Sequence, residues 1–211
     1  MTITKFGQSC LLVETDSARI LLDPGSYSTA QNDLKNIDAL LITHVHKDHL
    51  NLESVKAIVA NNPNVKIFSN VQVKEALTNI GIECQLLGDG ETTNVNGVSI
   101  EGFGTDHIEI HSSLPRDKNT GYLIAERFFH PGDSYTMPTK PVEILAWPVA
   151  GPWCKLGESV DYALAIKPKV AIPIHDAMLS DPNAAAKWPA GMVESEGISV
   201  KILELNEPVT L

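Results

Sequence analysis

Three histidines and an aspartate fall within six consecutive positions, His44-Val45-His46-Lys47-Asp48-His49, in a chain that has seven histidines in all. Imidazole nitrogen and carboxylate oxygen together suit a borderline divalent metal. Zinc fits best, and the carboxylate also admits manganese or iron. A single histidine at a strand end is ordinarily a cap or a surface group, so it is the density of ligand-type residues that points to a metal. Without one, several polar rings would have to find partners in one small volume, at about 1–3 kcal/mol for each group left unsatisfied.

Such a cluster works only if rigid elements hold it. Ala39-Leu40-Leu41-Ile42 reads as a buried strand, and from Leu50 to Ala60 the apolar residues Leu52, Val55, Ile58 and Val59 recur at helical spacing. The cluster therefore lies on the loop between a strand's C-terminal end and a helix, where open α/β sheets place their ligand chemistry. The same arrangement recurs three times. The strand 98–103 runs into His107, Phe128-Phe129 leads into His130-Pro131-Gly132-Asp133-Ser134, and the strand 170–174 closes on His175-Asp176. His107, Asp133 and His175 are the further candidates. His111 competes with His107, which is preferred because it stands nearer its strand end. Asp176 is placed either to orient His175 or to cap the segment after it.

The rest of the chain alternates strands and helices. Residues 2–22 read as two or three short strands, and 26–36 as a loop with one helical turn. A strand at 65–68 precedes a helix at 71–79, stopped by Gly81. A strand at 84–87 comes next, and Asn96-Gly97 marks a hairpin between 92–95 and 98–103. Segments 122–125 and 128–129 form another hairpin, 142–149 is a central strand, and 158–166 has helical spacing. The polar stretch 181–197 holds one short helix, and 198–205 is a last strand. Strand, polar His/Asp loop and helix thus recur in both halves, which predicts a layered α/β sandwich forming one domain over residues 1–211.

Composition narrows the function. At 211 residues with 43% hydrophobic and 20% charged residues, the chain is an ordinary globular protein with a sizeable core. Its formal charge of −10 and scattered 16 Lys and Arg residues disfavour a nucleic-acid partner, although bound cations would offset some of that charge locally. Three cysteines without a Cys-x-x-Cys pair imply free thiols and a reducing compartment. The N-terminal residues lack the apolar core of a signal peptide, and no apolar run approaches the ~20 residues of a membrane helix. A cytoplasmic location, with no membrane partner, is the expectation.

His44-Val45-His46-Lys47-Asp48-His49 matches in full the His-x-His-x-Asp-His signature of the metallo-β-lactamase superfamily, and the chain resembles that family over nearly its whole length. Phe6-Gly7-Gln8-Ser9-Cys10, Leu22-Asp23-Pro24, the Gly132-Asp133 loop and Pro173-Ile174-His175 are similar to its small lactonase-like branch, related to the L-ascorbate-6-phosphate lactonases. That branch commonly has histidine where this chain has Gln8, and the segment around His107 departs from the Gly-His-Thr-x-Gly form of glyoxalase II. The resemblance implies a four-layer αββα sandwich holding two divalent ions, zinc foremost, with manganese, iron or nickel as alternatives. It assigns one ion to His44, His46 and His107 and a second to Asp48, His49 and His175, with Asp133 bridging. A hydroxide shared by the ions, oriented by Asp48, would then hydrolyse a small metabolite: a lactone, ester or phosphoester. A phosphodiesterase or nuclease, and a metal-binding sensor or scaffold without turnover, are the competing readings. His111 or His130 could supply a proton to the leaving group, and Tyr27, Trp153 and the 116–118 loop could line the pocket.

Overall fold

In the computed structural model, residues 1–211 are described, the side chains of Pro182, Asn183 and Ala185 excepted. Fourteen strands and four α-helices alternate in the order β1 (Thr2–Gly7), β2 (Cys10–Glu14), β3 (Arg19–Leu22), β4 (Ala39–Ile42), α1 (Leu52–Asn61), β5 (Lys66–Ser69), α2 (Val71–Thr78), β6 (Gln85–Leu86) and β7 (Thr92–Val95). They continue as β8 (Val98–Phe103), β9 (Gly121–Ile124), β10 (Phe128–His130), β11 (Ile144–Pro148), α3 (Leu156–Ile166), β12 (Val170–Ile174), α4 (Pro182–Glu194), β13 (Ser199–Val200) and β14 (Pro208–Thr210). A 3-10 turn at Ala30–Asp33 is the helical turn expected in the 26–36 loop.

The strands form two seven-stranded mixed sheets, ordered β14-β1-β2-β3-β4-β5-β6 and β13-β12-β11-β10-β9-β8-β7. Successive side chains of a strand point to opposite faces, and that period of two builds the layers. Ile20, Leu22 and Leu41 of the first sheet meet Ile144, Ala146 and Ile172 of the second in one core between the sheets. The alternate residues Leu21, Leu40 and Ile42 face outward onto Val55 and Ile58 of α1 and Val73 and Leu77 of α2. In the second sheet Leu145 and Trp147 face outward onto Val160 and Ala163 of α3 and Val193 of α4. The result is the expected αββα sandwich. Two asparagines start the helices of the first half: Asn51 accepts from the amides of Glu53 and Ser54, and Asn70 from those of Gln72 and Val73.

Three local expectations are corrected. The stretch 181–197 carries not a short helix but α4, which at 13 residues is the longest described helix. Its described buried residues, Ala186, Pro189, Ala190 and Val193, are too small to stand out as an apolar stripe, and Pro189 reads as a breaker. The single last strand expected over 198–205 shortens to β13, at Ser199–Val200. β13 pairs in parallel with β12, and the chain then leaves the second sheet so that β14 can pair with β1 at the edge of the first. The strand expected at 84–87 shortens to β6, an edge strand whose two residues are exposed.

Candidate metal centre

β4, β8, β10 and β12 deliver the ligand-type residues to one end of the sandwich. Two overlapping groups form there: His44, His46, His107 and Asp133, and Asp48, His49, Asp133 and His175. Within each group the donor atoms lie within 4.8 Å of one another, and Asp133 belongs to both. All seven residues singled out from the sequence thus come together. Of the two competing histidines, His107 is in the cluster and buried, whereas His111 is exposed and bonded to Ser113.

Close backbone approach fixes these loops. A Cβ on Gly25 would stand 1.8 Å from the carbonyl oxygen of Asp48, so only glycine lets the 23–25 turn pass beneath the His/Asp loop. Gly132 has φ 65°, and a Cβ there would lie 2.7 Å from the Cβ of Thr43, so glycine is needed to set Asp133 against β4's end.

Four of the five clustered histidines are held by the ring nitrogen that faces away from the others. Thr43 Oγ1 lies 2.9 Å from His44 Nδ1, Asp117 Oδ2 3.0 Å from His46 Nε2, and Asp23 Oδ2 2.7 Å from His49 Nδ1. The carbonyl oxygen of Ile108 takes His107 Nδ1. Such partners fix a ring's orientation and tautomer and leave its other nitrogen free to bind. Asp23 does more, accepting the Thr43 amide at 2.7 Å and the Thr43 hydroxyl at 2.8 Å.

The inward atoms behave as a metal site requires. His44 Nε2, His49 Nε2, His175 Nε2 and Asp133 Oδ1 are buried and make no hydrogen bond, although carboxylate oxygens stand 3.0–3.7 Å from the three nitrogens. Buried polar atoms are nearly always paired, so a concentration of unpaired nitrogen and oxygen atoms fits a divalent cation that they would share. The residues present therefore fit the group that the signature implies.

Charge is concentrated here as well. Burial alone would raise the Asp133 carboxyl, but His49, His175 and His44 hold it well below the usual carboxylate range. Burial and the neighbouring His49 push His44 well down. Against the same burial penalty, Asp133 and Asp48 push His175 up to about 9. A site that so strongly favours carboxylate anions opposite cations is ready for metal charge.

An open cleft of about 290 Å³ lies over the cluster. His46, Asp48, Asp133 and His175 form its floor, Tyr27, Ile110, Pro152, Trp153 and Met178 its apolar walls, and Lys47 is the one Lys or Arg among the described residues that lines it. Trp153 is buried, donates from Nε1 to Asp133 Oδ2 at 2.8 Å and meets the rings of His107 and His175 edge-on. His130 is not in the cleft: its Nε2 donates to the Ser9 carbonyl and its Nδ1 accepts from the Gly132 amide, a structural role. Arg116 is likewise outside the cleft, exposed and paired with Glu109.

Sequence reasoning gave no role in the site to Asp23, noted only within Leu22-Asp23-Pro24, or to Asp117, grouped with a pocket loop. Asp23 carried one usable signal, since it follows the apolar run of β3 as Asp133 follows β10. Asp117 reaches His46 across 71 positions of sequence, and nothing local marks it.

The sandwich and the strand-end His/Asp cluster define the class, and the sequence profile of the beta-lactamase superfamily domain matches residues 2–175. The chain belongs to the metallo-β-lactamase superfamily. Among individual relatives, it is 32% identical over 215 residues to Protein Rv0786c of Mycobacterium tuberculosis, a match that covers 100% of both chains. A protein named UPF0173 metal-dependent hydrolase, from Polynucleobacter asymbioticus, is 26% identical over 98% of this chain and 84% of its own. Among solved structures, Igni18, a metallo hydrolase from Ignicoccus hospitalis, superposes with a TM-score of 0.78 at 23% identity, covering 99% of this chain and 97% of its own. That likeness supports the fold. Among the described residues, no helix is long and apolar enough to cross a membrane.

Proposed function

We propose that this protein is a binuclear metal-dependent hydrolase of a small metabolite with an ester, lactone or phosphoester bond. The observation that carries the reading is the pair of ligand groups sharing Asp133, with unpaired buried donor atoms turned toward one another. His44, His46 and His107 would hold one ion, Asp48, His49 and His175 the other, and Asp133 would bridge them. Zinc suits the histidine-rich donor set best. The chemistry such ions would supply there is activation of a water for attack and polarisation of the scissile carbonyl or phosphoryl group.

The chain's own residues supply position and exclusion. Asp48 is the more open of the two carboxylates in its group, with its side chain 20% exposed against 2% for Asp133, so it can accept a hydrogen bond from an incoming water and orient it. The apolar walls suit a hydrocarbon portion of the substrate, and Lys47 suits one anionic group. A single lining cation and a net charge of −10 give little purchase to a polyanion, which argues against a nuclease. The relatives named as metal-dependent hydrolases support the reaction class, and the opening strands that resemble the lactonase-like branch support a lactone or ester within it.

Elemental analysis and a hydrolysis panel test this. The purified protein should carry about two ions per chain and hydrolyse at least one lactone, ester, thioester or phosphodiester in a chelator-sensitive manner. Asp48→Ala should abolish that turnover while leaving the fold intact. One ion or none refutes the binuclear site, full activity of Asp48→Ala refutes the role of Asp48, and inertness toward every substrate favours a binding protein.

A further inference from the structure

His175 differs from the other four clustered histidines. Its Nδ1 is buried without a hydrogen-bond partner, so no side chain fixes the ring from behind. Its backbone is in the left-handed region at φ 64°, a conformation that costs a non-glycine residue about 1–2 kcal/mol unless its surroundings hold it. The turn between β1 and β2 holds it, and one residue there, Gln8, reaches both halves of the second ligand group.

Gln8 is 1% exposed and is itself left-handed, at φ 47°. Its backbone carbonyl accepts the His175 amide at 3.2 Å. Its side-chain Oε1 accepts the Ala177 amide at 3.0 Å, tying down the chain just beyond His175. Its Nε2 donates to Asp48 Oδ2 at 3.1 Å. Apart from the cluster's own histidines, no other described side chain donates to that carboxylate. Gln8 and His175, both in the left-handed region, are joined by one backbone hydrogen bond, and the two side-chain bonds of Gln8 tie that pair to Ala177 and Asp48, the kind of support that holds metal ligands in place.

From this geometry we infer that Gln8 is a positioning residue for the second metal ion: it orients Asp48 by donation and His175 through the backbone on either side of it. The amide is suited to this because it must accept from Ala177 and donate to Asp48 at once, which a carboxylate cannot do. The inference rests on the binuclear reading above. Its distinct content is that the second ion's affinity depends on the Nε2–H bond to Asp48.

The test is titration of metal-stripped protein with cobalt(II) against a competing chelator, read by visible absorption, for the wild type, Gln8→Ala and Gln8→Glu. Far-UV circular dichroism and melting curves establish that each variant is folded. The wild type should take two equivalents. Both variants should keep the first equivalent at wild-type affinity and bind the second about 10–100-fold more weakly, with an altered cobalt spectrum. Gln8→Glu is decisive because it keeps the length and the contact to Ala177 but sets an oxygen against Asp48, and it remains informative if Gln8→Ala does not fold. If Gln8→Glu binds the second equivalent like wild type, Gln8 is only a strut and the inference falls. If the wild type itself takes fewer than two equivalents, the binuclear reading fails first and the inference fails with it.

Discussion

Replacing Asp23 by asparagine isolates the group that sets the tautomer of His49. The carboxylate accepts three hydrogen bonds: the Thr43 amide at Oδ1, and the Thr43 hydroxyl and His49 Nδ1 at Oδ2. An amide of the same shape has one oxygen and one NH₂ group. If the oxygen takes the Thr43 amide, the NH₂ faces His49 Nδ1 and donates to it, and the His49 proton must move to Nε2. That proton then points at Asp133 Oδ1, 3.0 Å away, and occupies the lone pair a metal would need. If the amide flips, its NH₂ meets the Thr43 N–H donor to donor, and a buried group goes unsatisfied. Bonds to a charged group at about 1.5–3 kcal/mol each become neutral ones at about 0.5–1.5, while the desolvation penalty of one buried charge disappears. The net loss of stability in the metal-free protein is therefore modest, about 1–3 kcal/mol. Metal affinity should fall further, by about 10–100-fold. Urea unfolding of the stripped protein and chelator competition on the loaded protein measure the two quantities separately. If Asp23→Asn binds two ions with wild-type affinity, the tautomer argument is wrong.

Three further outcomes follow from the cluster and the residues beside it. Stripping the metal with a chelator should lower the melting temperature, because each ion bound at 100 times its dissociation constant adds about 2.7 kcal/mol, roughly 5–10 °C for a chain of this size. The fluorescence change that accompanies stripping should be lost in Trp153→Phe, since Trp153 is the tryptophan whose ring meets the cluster; a melting temperature indifferent to chelator would contradict it. Lys5 donates to both carboxylate oxygens of Asp176 and to the Pro173 carbonyl, with both side chains buried. Lys5→Met should cost about 3–5 kcal/mol by leaving that carboxylate unpaired, and Lys5→Met with Asp176→Leu should recover most of it, both read by denaturant unfolding.

Much of this protein is legible in its sequence because the relevant signals are local. The αββα layering follows from strands such as Leu40-Leu41-Ile42, whose buried residues serve two cores by simple alternation. The metal loop is legible because four donors fall within six positions, and His107, Asp133 and His175 are legible because each follows an apolar run. α4 is harder to read, since buried residues as small as Ala186, Pro189, Ala190 and Val193 leave it looking like a polar loop, and so is the C-terminal segment, whose β13 and β14 close the edges of two different sheets.

The sequence by itself determined the donor types, their placement at strand ends and hence the class of chemistry. Tertiary structure alone decided that His107 and not His111 reaches the cluster, that Asp133 stands between two groups, and that Asp23, Asp117 and Gln8 hold the rings and carboxylates in place. The physical reason is range. Alternation and strand-end placement are properties of a few neighbouring residues, whereas orienting a ligand takes a hydrogen bond of about 3 Å between side chains 26, 71 or 40 positions apart. The cluster at His44–His49 therefore declares a metal centre in one dimension, and only the closed sandwich brings it the partners that make its geometry specific.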